Sequence, residues 1–234
     1  MEKINYPVII NKYLALKKIS SRKEADRLLK SQKIKINDRL AEPGQMVYEK
    51  DKVKVDYRKN FVYLAFYKPR GVITHSPQNN EKSIEDVMRF PEKVFPIGRL
   101  DKDSFGLIIL TNDGRITDKM LNPDFYHEKE YEVETMRIFG ADFLKKISSG
   151  VELDDGFITR RCQVKKLKDY KFSIILTEGK KHQIRRMCEA LGERVSHLKR
   201  VRIMNINLGL LHPGEYRQLA GTELKTFLGN LDLV

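Results

Sequence analysis

The sequence predicts an α+β protein, in which a small basic module precedes a larger domain built on a mixed, largely antiparallel β-sheet flanked by helices. Short helical faces and short alternating strands fill residues 8–56. Polar residues 57–60 then separate them from a strongly apolar strand at residues 61–67. A chain of 234 residues is long enough for two domains with their own cores. We therefore expect domains at residues 1–58 and 61–234.

The formal net charge of +13 is unevenly distributed. Residues 1–60 hold 16 Lys and Arg against 8 Asp and Glu, so a quarter of the chain carries a net +8. Such a surface attracts polyanions, which makes nucleic acid the first partner to consider. The alternative is that these lysines and arginines only keep helix faces soluble.

Composition excludes several other classes of protein. Hydrophobic residues make up 41% of the chain and charged residues 33%, which is typical of globular proteins. The longest uncharged apolar run, residues 61–67, is too short for a membrane span, and residues 1–13 lack the apolar stretch of a secretory signal. Two cysteines build no disulfide framework. We expect a cytoplasmic protein with no membrane partner.

The first module reads as two short helices on a small sheet. Ile10, Tyr13 and Leu14 are spaced for one helix face. Ser21, followed three residues later by Glu24, predicts the N-cap and capping box of a second helix. Its buried face would hold Ala25, Leu28 and Leu29. Charge alternates with β-branched residues in 33–36 and 52–55, which predicts strands.

This pattern resembles the S4 RNA-binding domain. The matching positions are Leu14, residues 21–25, residues 34–37, Gly44, Asp51, Val53 and Val55. One departure is Gln32, which stands where the family usually has glycine before the first strand. The resemblance implies that Arg22, Lys23 and Arg27 contact RNA.

The larger domain begins with the buried strand at 61–67 and a turn at 68–71. Residues 81–90 suit a short amphipathic helix, residues 107–110 a core strand and residues 115–121 a further helix. Asp101 therefore falls on a polar, glycine-flanked loop that leads into a rigid strand, a common way to present a reactive group. By chemistry alone, Asp101 and Asp103 are either a carboxylate pair for glycosidic chemistry or two loop residues that bind backbone N–H groups.

Three motifs give this domain a family resemblance. They are residues 98–101 (Gly-Arg-Leu-Asp) with Ser104 and residues 106–107, residues 127–131 (His-Glu-Lys-Glu-Tyr), and residues 176–187. Together they resemble the RsuA-type pseudouridine synthases, and residues 201–203 and 208–209 also fit. Phe105 and Tyr216 depart from the residues usual at their positions. The resemblance covers essentially the whole chain and implies an isomerase that converts a uridine of RNA to pseudouridine.

The resemblance also implies roles for particular side chains. Asp101 would be the essential catalytic carboxylate and Arg185 its cationic partner. Tyr131 would lie against the uracil ring, with Leu176 on the apolar side of the base pocket. A base inside a stack cannot reach such a pocket, so the nucleotide must be flipped out. Arg99 would enter the RNA stack in its place.

A second basic stretch lies beside these motifs. Residues 180–202 hold eight Lys and Arg against two Glu, a net +6. We expect Lys180, Lys181 and Arg186 to contact RNA phosphates. The five histidines show no ligand spacing with either cysteine, so no metal is expected. The isomerisation involves no redox step, so no organic cofactor is expected either.

Residues 95–104 and 202–206 are most similar to a member of this family that modifies 23S ribosomal RNA. We therefore expect the partner to be 23S ribosomal RNA or a ribosome assembly intermediate, bound by a monomer. The alternatives are a transfer RNA substrate, both substrates, or a non-catalytic protein that binds the ribosome through its S4-like module.

Overall fold

The structure is a computed structural model that describes residues 4–17, 19–56, 60–78 and 81–233. The chain divides into two compact units, Met1–Asn60 and Phe61–Val234. Residues 57–59 of the expected linker lie outside the described ranges. No helix within those ranges is long and apolar enough to cross a membrane.

In the first unit, the described residues form two helices and two small sheets. In chain order its elements are β1 (Val8–Ile9), α1 (Ile10–Leu16), α2 (Arg22–Lys30), β2 (Ile34–Ile36), β3 (Arg39–Leu40), β4 (Met46–Val47) and β5 (Val53–Val55). Strand β1 pairs with β4, and the second sheet has the order β3-β2-β5. The helix and strand predictions for this region are confirmed. The Ser21 hydroxyl accepts a hydrogen bond from the Glu24 N–H at 3.2 Å, as expected of an N-cap. Gln32 adopts the left-handed conformation that glycine would take, with φ of 56°.

The second unit is built on one large sheet. In chain order its elements are β6 (Tyr63–Lys68), α3 (Ile84–Val87), β7 (Phe95–Ile97), β8 (Phe105–Thr111), α4 (Ile116–Leu121), a 3₁₀ turn (Pro123–Phe125), β9 (Lys129–Thr135), α5 (Phe143–Ser148), β10 (Gln163–Lys168), β11 (Lys171–Leu176), α6 (Gln183–Ala190), β12 (Val195–Ile203), β13 (Ile206–Asn207), β14 (Tyr216–Gln218) and α7 (Gly221–Gly229).

The strand order is β10-β11-β9-β12-β8-β6-β14, with β13 on β12 and β7 on β8. Within the described residues, β12 and β8 are parallel and the other strand pairs of this sheet are antiparallel. The α+β prediction with a mixed, largely antiparallel sheet is therefore confirmed.

Strands β6 and β8 are covered on both faces, which explains their continuous apolar sequences. Leu107 and Ile109 belong to one core cluster, whereas Ile108 and Leu110 belong to another. Since side chains alternate across a strand, each face of the sheet packs against its own cluster. The centre of the sheet is thus a rigid support for the loops at its edge.

Two local predictions need correction. The helix expected over residues 81–90 is a single turn, because Met88 is extended and ends it. Ser83 and Asp86 form a capping box at its start. Lys68, expected in a turn, is instead the last residue of β6 and is fully buried. Its ammonium group is satisfied by backbone carbonyls, so the strand can include it.

Candidate active site

Asp101 lies on the loop between β7 and β8, residues 98–104. Its side chain is 37% exposed. The Ser104 N–H donates to the Asp101 carbonyl at 3.1 Å and tightens the turn. The carboxylate is thus presented to solvent from a backbone that is held in place.

A single hydroxyl fixes the backbone just before Asp101. Thr74 is buried, and its Oγ1 accepts a hydrogen bond from the Leu100 N–H at 3.0 Å and donates to the Leu100 carbonyl at 2.7 Å. Leu100 is itself buried. Both polar groups of that peptide backbone are therefore satisfied by one side chain, which anchors the loop to the segment after β6.

Lys68 supports the Asp101 loop through contacts with backbone carbonyl groups. Its Nζ donates to the carbonyls of Val72 at 2.6 Å and Pro69 at 2.9 Å, and lies 3.5 Å from the Lys102 carbonyl. Burial lowers the pKa of Lys68 to about 8, while the nearby Asp101 carboxylate acts to raise it. Lys68 thus places a buried positive charge near Asp101.

Arg200 connects the loop to the middle of the sheet. Its buried guanidinium donates from Nε to the Leu107 carbonyl at 2.7 Å and from Nη1 to the Arg99 carbonyl at 3.4 Å. Its Nη2 has no hydrogen-bond partner among the described residues. Gly106 pairs with Arg200 in the parallel register, and a Cβ on Gly106 would lie 2.3 Å from the Arg200 carbonyl oxygen. Only glycine allows the two strands to approach this closely.

Tyr131 lies on β9, the strand next to that of Arg200, and Leu176 lies on β11, one strand further away. Tyr131 is opposite Arg200 in the β9–β12 register and opposite Ile174 in the β9–β11 register. Leu176 is buried at the end of β11, and Tyr131 packs against the core cluster to which Leu176 belongs. An aromatic residue therefore lies on the strand next to the one that braces the Asp101 loop, and an apolar residue lies one strand beyond it.

The turn after Leu176 brings a histidine to Asp101. Buried Glu178 accepts hydrogen bonds from the Arg160 N–H at 3.0 Å and from Gln183 Nε2 at 2.7 Å. His182, at the start of α6, has a left-handed φ of 53°. Its Nε2 lies 3.4 Å from Asp101 Oδ1. The third motif and the Asp101 loop thus meet directly.

Arg185 does not form the expected ion pair with Asp101 among the described residues. Its Nη1 donates to the Val195 carbonyl at 3.2 Å, and its Nη2 is buried without a hydrogen-bond partner. His182 occupies the position next to the carboxylate instead. The role of Arg185 stays a prediction.

Comparisons with known proteins identify the family. The model of the RNA pseudouridylate synthase family matches residues 62–190, and that of the S4 domain matches residues 10–53. This chain belongs to the RNA pseudouridylate synthase family. It is therefore an isomerase, and its similarity to S4 and RsuA-type proteins is confirmed.

The relatives of this synthase align along most of its length. It is 39% identical over 222 residues to the dual-specificity RNA pseudouridine synthase RluF of Salmonella typhi, covering 92% of this chain and 76% of the relative. It is 35% identical over 229 residues to the ribosomal large subunit pseudouridine synthase B of Bacillus subtilis strain 168, covering 92% and 93%. A crystal structure of a pseudouridylate synthase superposes with a TM-score of 0.68 at 25% identity, covering 96% of this chain and 99% of the other.

The basic residues expected at RNA differ in how available they are. On the catalytic side Arg99, Lys180 and Lys181 are exposed. Arg186 instead forms an ion pair with Asp154, and its Nη2 lies 2.8 Å from Asp155 Oδ1. Its charge is therefore already matched by carboxylates from another part of the chain.

In the first unit, Arg22, Lys23 and Arg27 are exposed on α2. Arg27 Nη1 lies 3.4 Å from Glu24 Oε2, a surface pair of small energetic value. These three cations therefore stand open to a polyanion, and their contact with RNA stays a prediction.

Four of the residues that shape this site were missed by the sequence analysis: Lys68, Thr74, His182 and Arg200. Their importance comes from contacts over long sequence separations, such as the bond from Arg200 to the Arg99 carbonyl. The one available signal was the position of Lys68 at the end of an apolar strand, where its carbon chain can be buried and its charge must find acceptors.

The described residues contain no cluster of three or more His, Cys, Asp and Glu side chains suited to a metal ion. Cys162 and Cys188 are free thiols, and burial raises their pKa values to about 11 and about 12. The described contacts bring a braced carboxylate and an imidazole together, while Tyr131 and Leu176 lie on β9 and β11 of the same sheet.

Proposed function

We propose that this synthase isomerises a uridine of 23S ribosomal RNA, with Asp101 as the essential carboxylate. One observation carries the assignment of the site. The Asp101 loop is braced by Thr74, Lys68 and Arg200, yet the carboxylate itself remains open to solvent. A group held in this way can meet a flipped nucleotide without reorganising. The name of the B. subtilis relative supports large-subunit RNA as the substrate.

The reaction accounts for the need for an ionised carboxylate. The N1–C1′ bond of uridine breaks, the uracil turns, and a C5–C1′ bond forms. C5 loses its proton to solvent and N1 takes up a proton, so the product is an isomer of the substrate. Asp101 acts as nucleophile or as base toward the nucleotide. Buried Lys68 places positive charge near this carboxylate.

The other site residues surround the flipped base. Tyr131 lies against the uracil ring and Leu176 forms the apolar side of the pocket. Arg185 supplies the cationic partner of Asp101 when RNA is bound, and its unpartnered Nη2 leaves a donor free for this. Arg99, exposed two residues before Asp101, fills the gap that the flipped nucleotide leaves.

The remaining expectations concern how the synthase finds its substrate. Residues 1–58 act as an RNA-docking domain through Arg22, Lys23 and Arg27, and residues 61–234 as the catalytic domain. Lys180 and Lys181 contact phosphates near the active site, with Arg186 contributing if its carboxylate partners are displaced. The protein works in the cytoplasm as a monomer.

A second candidate is action on transfer RNA as well as ribosomal RNA. The relative from S. typhi is named a dual-specificity synthase, which supports two substrates. The pocket would receive a uridine in either case, so the choice depends on contacts outside it.

The two candidates are separated by labelled transcripts. 23S ribosomal RNA and transfer RNA transcripts made with [5-³H]uridine release tritium as C5 is substituted. We expect release from the 23S transcript, and release from both transcripts would establish dual specificity. Release from neither, in both naked transcripts and ribosome assembly intermediates, would contradict the proposal. Pseudouridine mapping of cellular RNA with and without the protein then locates the target.

A further inference from the structure

An exposed apolar patch extends from the end of α4 into the turn that leads to β9. Its members are Leu121, Phe125 and Tyr126, with 45%, 48% and 58% of their surfaces exposed. We call these three residues the stacking segment. A contiguous exposed apolar patch can mark a binding site.

The stacking segment is held rigidly. The side chain of Asn122 accepts a hydrogen bond from the Asp124 N–H at 3.0 Å and caps the 3₁₀ turn. Tyr126 follows the turn and has a left-handed φ of 53°. The Phe125 ring stacks on His127 with 5.8 Å between centroids and 19° between planes. The rings are therefore ordered before any ligand arrives.

Contacts place this segment beside the Asp101 loop. The Leu121 Cδ2 atom lies 3.2 Å from the position that a Cβ on Gly98 would take. Gly98 directly precedes Arg99, whose proposed place is inside the RNA stack. The segment thus adjoins the point where a strand of RNA would open.

On its other side, the segment contacts the turn of the third motif through Arg160. The Arg160 guanidinium lies 4.2 Å from the centre of the Tyr126 ring, and its Nη1 donates to the Pro123 carbonyl at 3.2 Å. Its Nε is 3.6 Å from Glu178 Oε2, in the turn that leads to His182. Aromatic rings and a guanidinium are thus combined between the two loops of the active site.

We propose that Phe125 and Tyr126 form a stacking site for an unpaired base of the substrate RNA that flanks the flipped uridine. This inference rests on the proposed function. Bases stack on aromatic rings with little regard to sequence, and a guanidinium at the ring adds cation–π attraction and a partner for phosphate. The site explains why the two rings are exposed and ordered in a segment whose Leu121 lies against Gly98 of the Asp101 loop.

The test uses the absence of tryptophan from this chain. Tyr126→Trp introduces a single indole, whose emission is quenched when a base stacks on it. The matched control is Tyr170→Trp, because Tyr170 is 42% exposed, lies near the β10–β11 turn and has the Lys168 ammonium 5.9 Å from its ring. Titration with the 23S transcript should quench the first variant and leave the second unchanged. If the transcript quenches neither variant, or quenches both to the same extent, the proposal is overturned.

A kinetic measurement separates stacking from simple structural support. Tyr126→Leu should raise the transcript concentration for half-maximal tritium release about fivefold to a hundredfold, the range for loss of one base–aromatic stack. The rate at saturating transcript should stay unchanged, and Tyr126→Phe should restore the native value. If Tyr126→Leu reaches half-maximal tritium release at the native transcript concentration, the stacking site is contradicted but the proposed function is not. If the unaltered protein releases no tritium, the proposed function itself is contradicted.

Discussion

Substitution of Lys68 by methionine tests the buried charge beneath the Asp101 loop. In the folded protein burial lowers the Lys68 pKa from 10.5 to about 8. Each pKa unit corresponds to about 1.4 kcal/mol, so keeping Lys68 protonated in the fold costs about 3 kcal/mol at neutral pH. Lys68→Met removes this cost, and it also removes the donors to the Val72 and Pro69 carbonyls, worth about 1 kcal/mol each.

The pH dependence of stability separates the contribution of the Lys68 charge from that of its hydrogen bonds. Between about pH 8 and 10.5 the unfolded chain holds a proton on Lys68 that the folded chain has lost, so the contribution of Lys68 to stability rises with pH. A neutral amine still donates hydrogen bonds, so those contributions stay nearly constant. Lys68→Met should therefore lose about 2.5 kcal/mol of free energy of unfolding relative to the native protein on going from pH 7 to 10.

Urea unfolding at pH 7, 8, 9 and 10 measures this difference, and NMR of ¹³C-labelled lysine follows the Lys68 pKa directly. Lys102→Met is the control, because Lys102 is exposed and its hydrogen bond to Glu81 raises its pKa. The contribution of Lys102 to the free energy of unfolding should stay nearly constant from pH 7 to 10 and decline at higher pH. If the difference in free energy of unfolding between Lys68→Met and the native protein is also independent of pH, the assignment of a desolvated ammonium group at Lys68 is refuted.

Three further predictions concern the scaffold. Gly106→Ala should destabilise the protein by about 2 kcal/mol or more in urea unfolding, because the new Cβ meets the Arg200 carbonyl at a φ of +105°; an unchanged midpoint would contradict the close strand approach. Thr74→Val removes the hydroxyl that holds Leu100 and should slow single-turnover tritium release about tenfold to a hundredfold with RNA affinity retained; a native rate would show that the clamp is dispensable. Deletion of residues 1–58 should raise the RNA dissociation constant far more than it changes single-turnover chemistry at saturation, and equal affinity would refute a docking role.

Local sequence patterns predicted much of the fold because they report local physics. Ser21 was identified as an N-cap from its spacing to Glu24, and Ala25 and Leu28 as buried from the helical period. The run around Ile108 was predicted as a core strand because both of its faces are apolar. Each of these features depends on residues within a few positions of one another.

Charge counting was less informative, because it ignores carboxylates brought in from elsewhere. Residues 180–202 carry a net +6, but Arg186 is paired with Asp154 and Arg202 with Glu130. Arg200, from the same stretch, is buried. The exposed positive surface beside the active site is therefore smaller than the sequence indicated.

The position of the Asp101 loop was predicted from the sequence, but the contacts around it were not. Asp101 was placed on a loop before a rigid strand, and the loop is there. The brace from Lys68 and the approach of His182 depend on strand order and on a left-handed residue at a helix start. Neither follows from local spacing, so a sequence alone could not reveal them.

The single-turnover rate of Asp101→Asn shows whether the Asp101 carboxylate is essential to the reaction. Asparagine keeps the size of the side chain and removes its charge, and native binding of labelled 23S transcript would show that the RNA still docks. We expect a rate of tritium release at least about a thousandfold below that of the native protein, with RNA affinity retained. Release at the native rate would contradict the assignment of Asp101 as the catalytic carboxylate.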